Sequence, residues 1–152
     1  MDRSKYNVAK DTAGRTCNGI VFDSAIEMRY YKEVVLPGVE SGDIAHYELQ
    51  KEYILQPKFI KDGKTIQPIK YKADFYIEYA DGHAEVIDTK GCPDAKAMIK
   101  RKMFWYLFPA LELRWLVYTK KWGGWLDYDK VNELRRNAKK EKQKEIEKNG
   151  EE

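Results

Sequence analysis

Residues 69–91, IKYKADFYIEYADGHAEVIDTKG, decide the fold. In the first half every second residue is apolar: Tyr71, Ala73, Phe75, Ile77 and Tyr79. Side chains alternate across an extended chain, so this spacing predicts a strand over 69–79 with one apolar face. Asp81-Gly82 then supplies a residue pair suited to the left-handed backbone of a tight hairpin. The returning stretch 84–90 (AEVIDTK) reads as a second strand, and Gly91-Cys92-Pro93 breaks it.

Outward from this hairpin the periodicity changes. A helix is predicted from about Ser24 to Leu36, where Pro37-Gly38 stops it. Residues 46–55 (HYELQKEYIL) alternate loosely as a strand, and Asp62-Gly63 makes a turn ahead of residue 69. Downstream lie a helix over about 94–108, a short apolar strand over 112–118 (ELRWLVY), and, after Gly123-Gly124, a helix starting near Asp127 or Tyr128. The order helix, three strands, helix, strand, helix predicts an α/β chain, a mixed sheet with helices packed on it.

With 152 residues and no repeat or linker, a single domain over 20–138 is expected. Residues 1–19 carry Arg3, Lys5, Lys10 and Arg15 against Asp2 and Asp11, without apolar periodicity, and are expected to be a mobile basic arm. Residues 139–152 are almost entirely charged and are expected to be the frayed end of a long solvated helix. Apolar runs fall far short of the roughly 20 residues needed to span a bilayer, and the first residues lack the apolar stretch of a secretion signal, so a cytoplasmic protein is expected.

The chemistry open to the chain is narrowed by what is scarce. Cys17 and Cys92 are too few for a disulfide scaffold and wrongly spaced for zinc. With only two histidines, any metal is expected on oxygen ligands, which favours magnesium or manganese. A net charge of +3 is weak evidence for a nucleic-acid partner taken alone.

Three segments carry candidate site residues. Asp88 and Lys90 are two apart on a strand and share a face, and the hairpin brings Asp74 within reach of Asp88 across the ladder. The plain alternative is a solvated polar face. Glu27 falls within the apolar arc of the first helix, where a carboxylate is costly unless it is paired or bound to metal. Ser24-x-x-Glu27 is also a capping box that folds the glutamate back on the helix start, and both readings hold only if Glu27 turns away from the cap. In the third segment Lys96 and Lys100 share an arc with Ile99, Met103 and Leu107, with Arg101 and Lys102 flanking. These lysines either meet phosphate or lay their aliphatic stems over the core, the second fitting Lys96 better. Trp105, Trp115, Trp122 and Trp125 read mainly as core, with Trp122 and Trp125 as alternative surface residues.

Asp74, followed fourteen residues later by Asp88-Thr89-Lys90, with Glu27 on a preceding helix, resembles the PD-(D/E)XK nuclease superfamily, which includes restriction endonucleases and archaeal-type Holliday-junction resolvases. The wording is closest to small phage and prophage nucleases, in Asn18–Tyr31 (NGIVFDSAIEMRYY), Glu48-Leu49-Gln50, Tyr71–Phe75 (YKADF), Val86–Gly91 (VIDTKG) and Lys100–Phe104 (KRKMF). The resemblance covers residues 18–118 and departs at Ala73, where the superfamily's nominal proline would stand. It implies a restriction-endonuclease-like core and a magnesium-dependent endonuclease, with manganese able to substitute. Its substrate would be DNA, branched structures such as Holliday junctions above all, cut by a homodimer encoded by phage or prophage and acting in the bacterial cytoplasm. Asp74 and Asp88, with the carbonyl of Thr89, would ligate the metal, and Glu27 would reach the same metal or a second one through water. Lys90 would position or deprotonate the attacking water, and Lys100, with Lys96 and Arg15, would meet DNA. Gln50 is a possible further site residue. A nuclease of duplex or flap DNA, and a non-catalytic DNA-binding module, are the alternatives.

Overall fold

The computed structural model describes residues 12–150. The chain enters through a single helical turn at Ala13–Arg15 and a two-stranded hairpin, β1 (Thr16–Cys17) and β2 (Ile20–Val21). Asn18 and Gly19 at its tip both have positive φ, 49° and 76°, the twist that matches a tight hairpin. Residues 13–19 of the expected basic arm form this turn and hairpin, while residues 1–11 lie outside the described part.

The first helix does not stop at Pro37-Gly38. It runs as α1 (Ala25–Tyr30), a π-helical stretch (Tyr31–Val35) and α2 (Leu36–Ser41), ending at Gly42 with φ 85°. The π stretch resets the hydrogen-bond register, with the Leu36 N–H reaching the Tyr31 carbonyl. Pro37 therefore falls at the start of α2, where a missing N–H costs little. Gly38 serves packing there, because a β-carbon on it would stand 2.5 Å from Ile44 Cδ1 and 2.8 Å from Cγ1.

The remaining elements are β3 (Ile44–Gln56), a small hairpin β4 (Phe59–Lys61) and β5 (Lys64–Ile66), β6 (Ile69–Tyr79), β7 (Ala84–Thr89), α3 (Ala95–Leu107), β8 (Glu112–Thr119), a helical turn at Lys120–Trp122, β9 (Gly124–Asp127) and α4 (Tyr128–Asn149). The main sheet has the order β3-β6-β7-β8-β9, antiparallel except for the parallel pair β7–β8, so the chain is a mixed α/β fold. The small hairpins and β9 fill out the sequence-predicted elements. Residues 139–149, expected to fray, continue α4 as helix with every side chain exposed, and residues 151–152 lie outside the described part. No described helix is long and apolar enough to cross a membrane.

Neighbouring residues on β7 and β8 feed opposite faces of the sheet. Ile87 and Leu116 join a core under α1 with Tyr30, Tyr31 and Val35, whereas Val86 and Trp115 join a core under α3 with Phe104. The outer strands behave differently. Tyr47 and Leu49 of β3 and Phe75 and Ile77 of β6 pack on the α1 side; Tyr53 and Leu55, and Tyr71 and Ala73, pack on the α3 side. All eight are odd-numbered, so a regular strand would hold them on one face. The single stripe expected from Tyr71 to Tyr79 is corrected to two half-stripes. The switch falls where Gln50 faces Asp74, between the pairs Leu49–Phe75 and Lys51–Ala73, and Gln50 has φ 55° there. A left-handed non-glycine residue inside a strand is uncommon and turns the chain sharply.

Gly38→Ala supplies the packing test. Helix propensity alone favours alanine by about 1 kcal/mol, yet overpacking against buried Ile44 typically costs about 1–3 kcal/mol. We expect net destabilisation in chemical denaturation, and a smaller cost for Gly38→Ala when Ile44→Ala is already present.

Candidate functional site

Because β3 and β6 cross between the two cores at Gln50 and Asp74, that point can reach both helical layers. Glu27 comes from α1 on one side and is 1% exposed; Asp88 comes from the α3 side of β7 and is 4% exposed. Asp74 lies between them. Its carboxyl neighbours that of Glu27, and it feels the charges of both Glu27 and Asp88.

Each carboxylate is held by named donors. Glu27 accepts from the Asp23 N–H on Oε2 at 3.1 Å and from Gln50 Nε2 on Oε1 at 2.6 Å. The Ser24 hydroxyl meanwhile caps the Glu27 N–H at 3.2 Å. The capping and site readings therefore coexist without the glutamate turning away: one oxygen serves the helix start and the other faces the cluster. Asp74 Oδ2 accepts both the N–H and the hydroxyl of Thr89, each at 2.8 Å. Asp88 Oδ2 accepts from Tyr71, whose oxygen in turn accepts from Trp115 Nε1 at 2.7 Å. Lys90 Nζ lies 2.6 Å from Asp88 Oδ2 and 5.0 Å from the Trp115 ring centroid.

The electrostatics are those of crowded like charges. Burial is the largest cause raising Asp74 well above its ordinary range, and the charges of Asp88 and Glu27 add to it. Burial likewise raises Glu27. Burial and the neighbouring Asp88 carboxylate keep the Tyr71 hydroxyl protonated and donating.

The structure thus brings together Glu27, Gln50, Asp74, Asp88, Thr89 and Lys90. Thr89 contributes its N–H and hydroxyl to Asp74. Lys100 and Lys96 sit on the first turns of α3, with Lys100 Nζ 2.7 Å from the Lys70 carbonyl and its pKa lowered by burial and by Lys96. Of their expected arc Met103 does pack on the core, but Ile99 and Leu107 are 60% and 43% exposed, and the inward side of α3 also carries Ala97, Arg101 and Phe104. Arg101, expected to flank that arc, is buried, forms a two-pronged ion pair with Asp129 and lies 4.4 Å from the Trp115 ring. Arg15, expected on a mobile arm, bonds the Phe22 carbonyl and anchors the β1–β2 hairpin. Tyr71 and Trp115 are site-supporting residues that the sequence reading missed, since both look like plain core positions.

No three His, Cys, Asp or Glu side chains among the described residues stand ready to chelate a metal. The donors named above already occupy an oxygen of each carboxylate. Chemically, Glu27, Asp74 and Asp88 offer oxygen donors of the kind a hard divalent cation prefers; burial and neighbouring charge disfavour the ionised form of Asp74, and Lys90 pairs with Asp88. The surface hollow lined by Glu33, Val34, Pro37, Gly38, Ser41, Asp43, Ile44 and Tyr79 includes no member of this cluster.

Among known protein families, residues 3–124 match the one described as "Protein of unknown function (DUF1064)". No curated protein matches the chain.

The raised Asp74 pKa gives a stability test. A carboxyl raised in the folded state contributes stability fully below its ordinary value of 3.8, and that contribution is lost as pH rises through the folded value. In chelator at pH 8, Asp74→Asn should therefore melt higher than the parent by about 2–4 °C, the equivalent of about 1 kcal/mol in a chain this size. The gap should close as pH falls toward the ordinary value. A lower melting temperature at pH 8 would contradict the crowded-charge account.

Proposed function

The chain belongs to the DUF1064 family, whose function is unknown, and we propose from its site that it is a magnesium-dependent endonuclease of the PD-(D/E)XK kind that hydrolyses phosphodiester bonds in DNA. The observation that carries this reading is the convergence of Glu27, Asp74 and Asp88, from three separate elements and both sides of the sheet, beside Lys90. An element order of helix, strands with the acidic hairpin, helix and strand fits a restriction-endonuclease-like core.

Asp74, Asp88 and Glu27 would hold the cation. When bound, magnesium supplies positive charge to the phosphate being attacked and makes a water more acidic. The chain's own residues supply the orientation. Thr89 fixes Asp74 through two bonds, Tyr71 fixes Asp88, and Gln50 fixes Glu27, so the acids are set before substrate arrives. Lys90 Nζ, paired with Asp88, donates to the attacking water and keeps it against the phosphate. Lys96 and Lys100, with lowered proton affinity at Lys100, would contact phosphates of the same strand. Branched DNA such as a Holliday junction is the proposed substrate; symmetric cutting of one needs two such sites and so a homodimer.

The test is cleavage of labelled junction and duplex DNA in a magnesium titration, with and without chelator. Asp88→Asn and Lys90→Ala should each lower cutting by about 10²–10³-fold, the usual loss when one preorganised group is removed, while DNA binding persists. Chelator should stop cutting by the parent protein. Binding without metal-dependent cutting would instead make the chain a non-catalytic DNA-binding module.

A further inference from the structure

We propose that the β4–β5 hairpin is a finger that grips the backbone of duplex DNA beside the site, with Lys61 and Lys64 on the phosphates; the inference rests on DNA being the substrate. Asp62 and Gly63 at its tip have φ 48° and 72°, which makes a stiff tight turn, and the ribbon pairs Phe59 with Ile66, Ile60 with Thr65 and Lys61 with Lys64. Every residue from Pro57 to Gln67 is exposed, so the ribbon adds nothing to either core.

Its composition does not suit a bare solvent-facing turn. Lys61 and Lys64 stand directly opposite each other, an arrangement that destabilises a strand pair. Neither they nor Lys58 form an ion pair among the described residues, and Asp62 is the single acid against these three lysines over 57–67. Beside the charges sit Phe59, 43% exposed, and Ile60, 74% exposed. Unpaired cations next to exposed apolar side chains on a narrow ribbon match a DNA groove, which offers phosphates at its rims and sugar and base surfaces inside.

The position matches as well. From Ile66 to Asp74 the chain advances eight residues, about 26 Å if fully extended, which equals about eight base pairs of duplex at 3.4 Å each. Lys70 and Lys72 lie on this path, paired with Glu52 at 2.9 Å and Asp23 at 3.6 Å, and Lys100 reaches the Lys70 carbonyl. Ile66, at the base of the finger, therefore lies no farther from Asp74 than the length of one helical turn of duplex.

The experiment is equilibrium binding of a labelled duplex to the full chain over a range of salt, in the cleavage-silenced Asp88→Asn background. Lys61→Ala/Lys64→Ala should reduce the slope of log affinity against log salt by about 1.8, two phosphate contacts' worth. Lys61→Arg/Lys64→Arg should keep the parental slope, and melting temperatures should stay level because the ribbon lies outside the cores. An unchanged slope in the alanine variant overturns the proposal, as does failure of the parent to bind duplex. A shift in sedimentation with DNA binding intact overturns it too, by making the ribbon a contact between copies. If the slope falls but the uncrippled protein never cuts DNA, the finger stands and the nuclease reading falls.

Discussion

Asp74 stands between two other acids, Glu27 and Asp88, with Lys90 paired to Asp88, and much of the architecture follows from holding them there. Left to repulsion and desolvation, Glu27, Asp74 and Asp88 would spread apart or draw water in. They stay together because each is clasped by neutral donors: Gln50 and the Asp23 amide on Glu27, both donors of Thr89 on Asp74, and Tyr71 on Asp88. These bonds fix geometry without neutralising charge. The crowding remains: burial and neighbouring charges raise Asp74, burial raises Glu27, and Lys90 offsets the charge of Asp88.

Support for Asp88 extends well beyond its own strand. Tyr71 is oriented by Trp115, and that indole carries Lys90 within 5.0 Å and Arg101 within 4.4 Å of its ring. Arg101 in turn is clamped by Asp129 at the start of α4. A chain of contacts thus runs from α4 through α3, β8 and β6 to one carboxylate oxygen. Residues that look like ordinary filling of the α3-side core set the position of the acid that the proposed chemistry most needs.

The sequence disclosed the parts of this design that depend on local patterning. Alternation and turn residues placed β6 to the residue, and β7, α3 and β8 to within one or two. Asp74, Asp88 and Lys90 could be grouped because a hairpin and a two-residue period suffice. What stayed hidden depends on nonlocal geometry. The odd-numbered stripe of β6 reads as one face, and only pairing with β3 at Gln50 reveals that it is split between two cores. Pro37-Gly38 reads as a helix stop because a π-helical reset upstream leaves no mark in composition. On α3 the long aliphatic side chains suggested the wrong inward face, since a buried arginine with an aspartate partner and aromatic neighbours outcompeted Ile99 and Leu107. Asn18-Gly19, by contrast, was a legible hairpin signal, masked by the basic residues around it.

Two costs meet at one position in this fold. Gln50 adopts a left-handed backbone inside a strand, and the residue facing it, Asp74, is a carboxyl whose ionised form burial and neighbours disfavour. Neither is needed to close a mixed sheet: glycine would relieve the first and a neutral residue the second. Their coincidence is informative because the strained turn lets Asp74 stand between an acid from α1 and an acid from β7, and Gln50 itself binds the first of them. Strain and crowded charge concentrated on the same few atoms are what the proposed cation site would need before the cation arrives. A purely structural account explains each bond in the cluster, yet it gives no reason for gathering the acids at all.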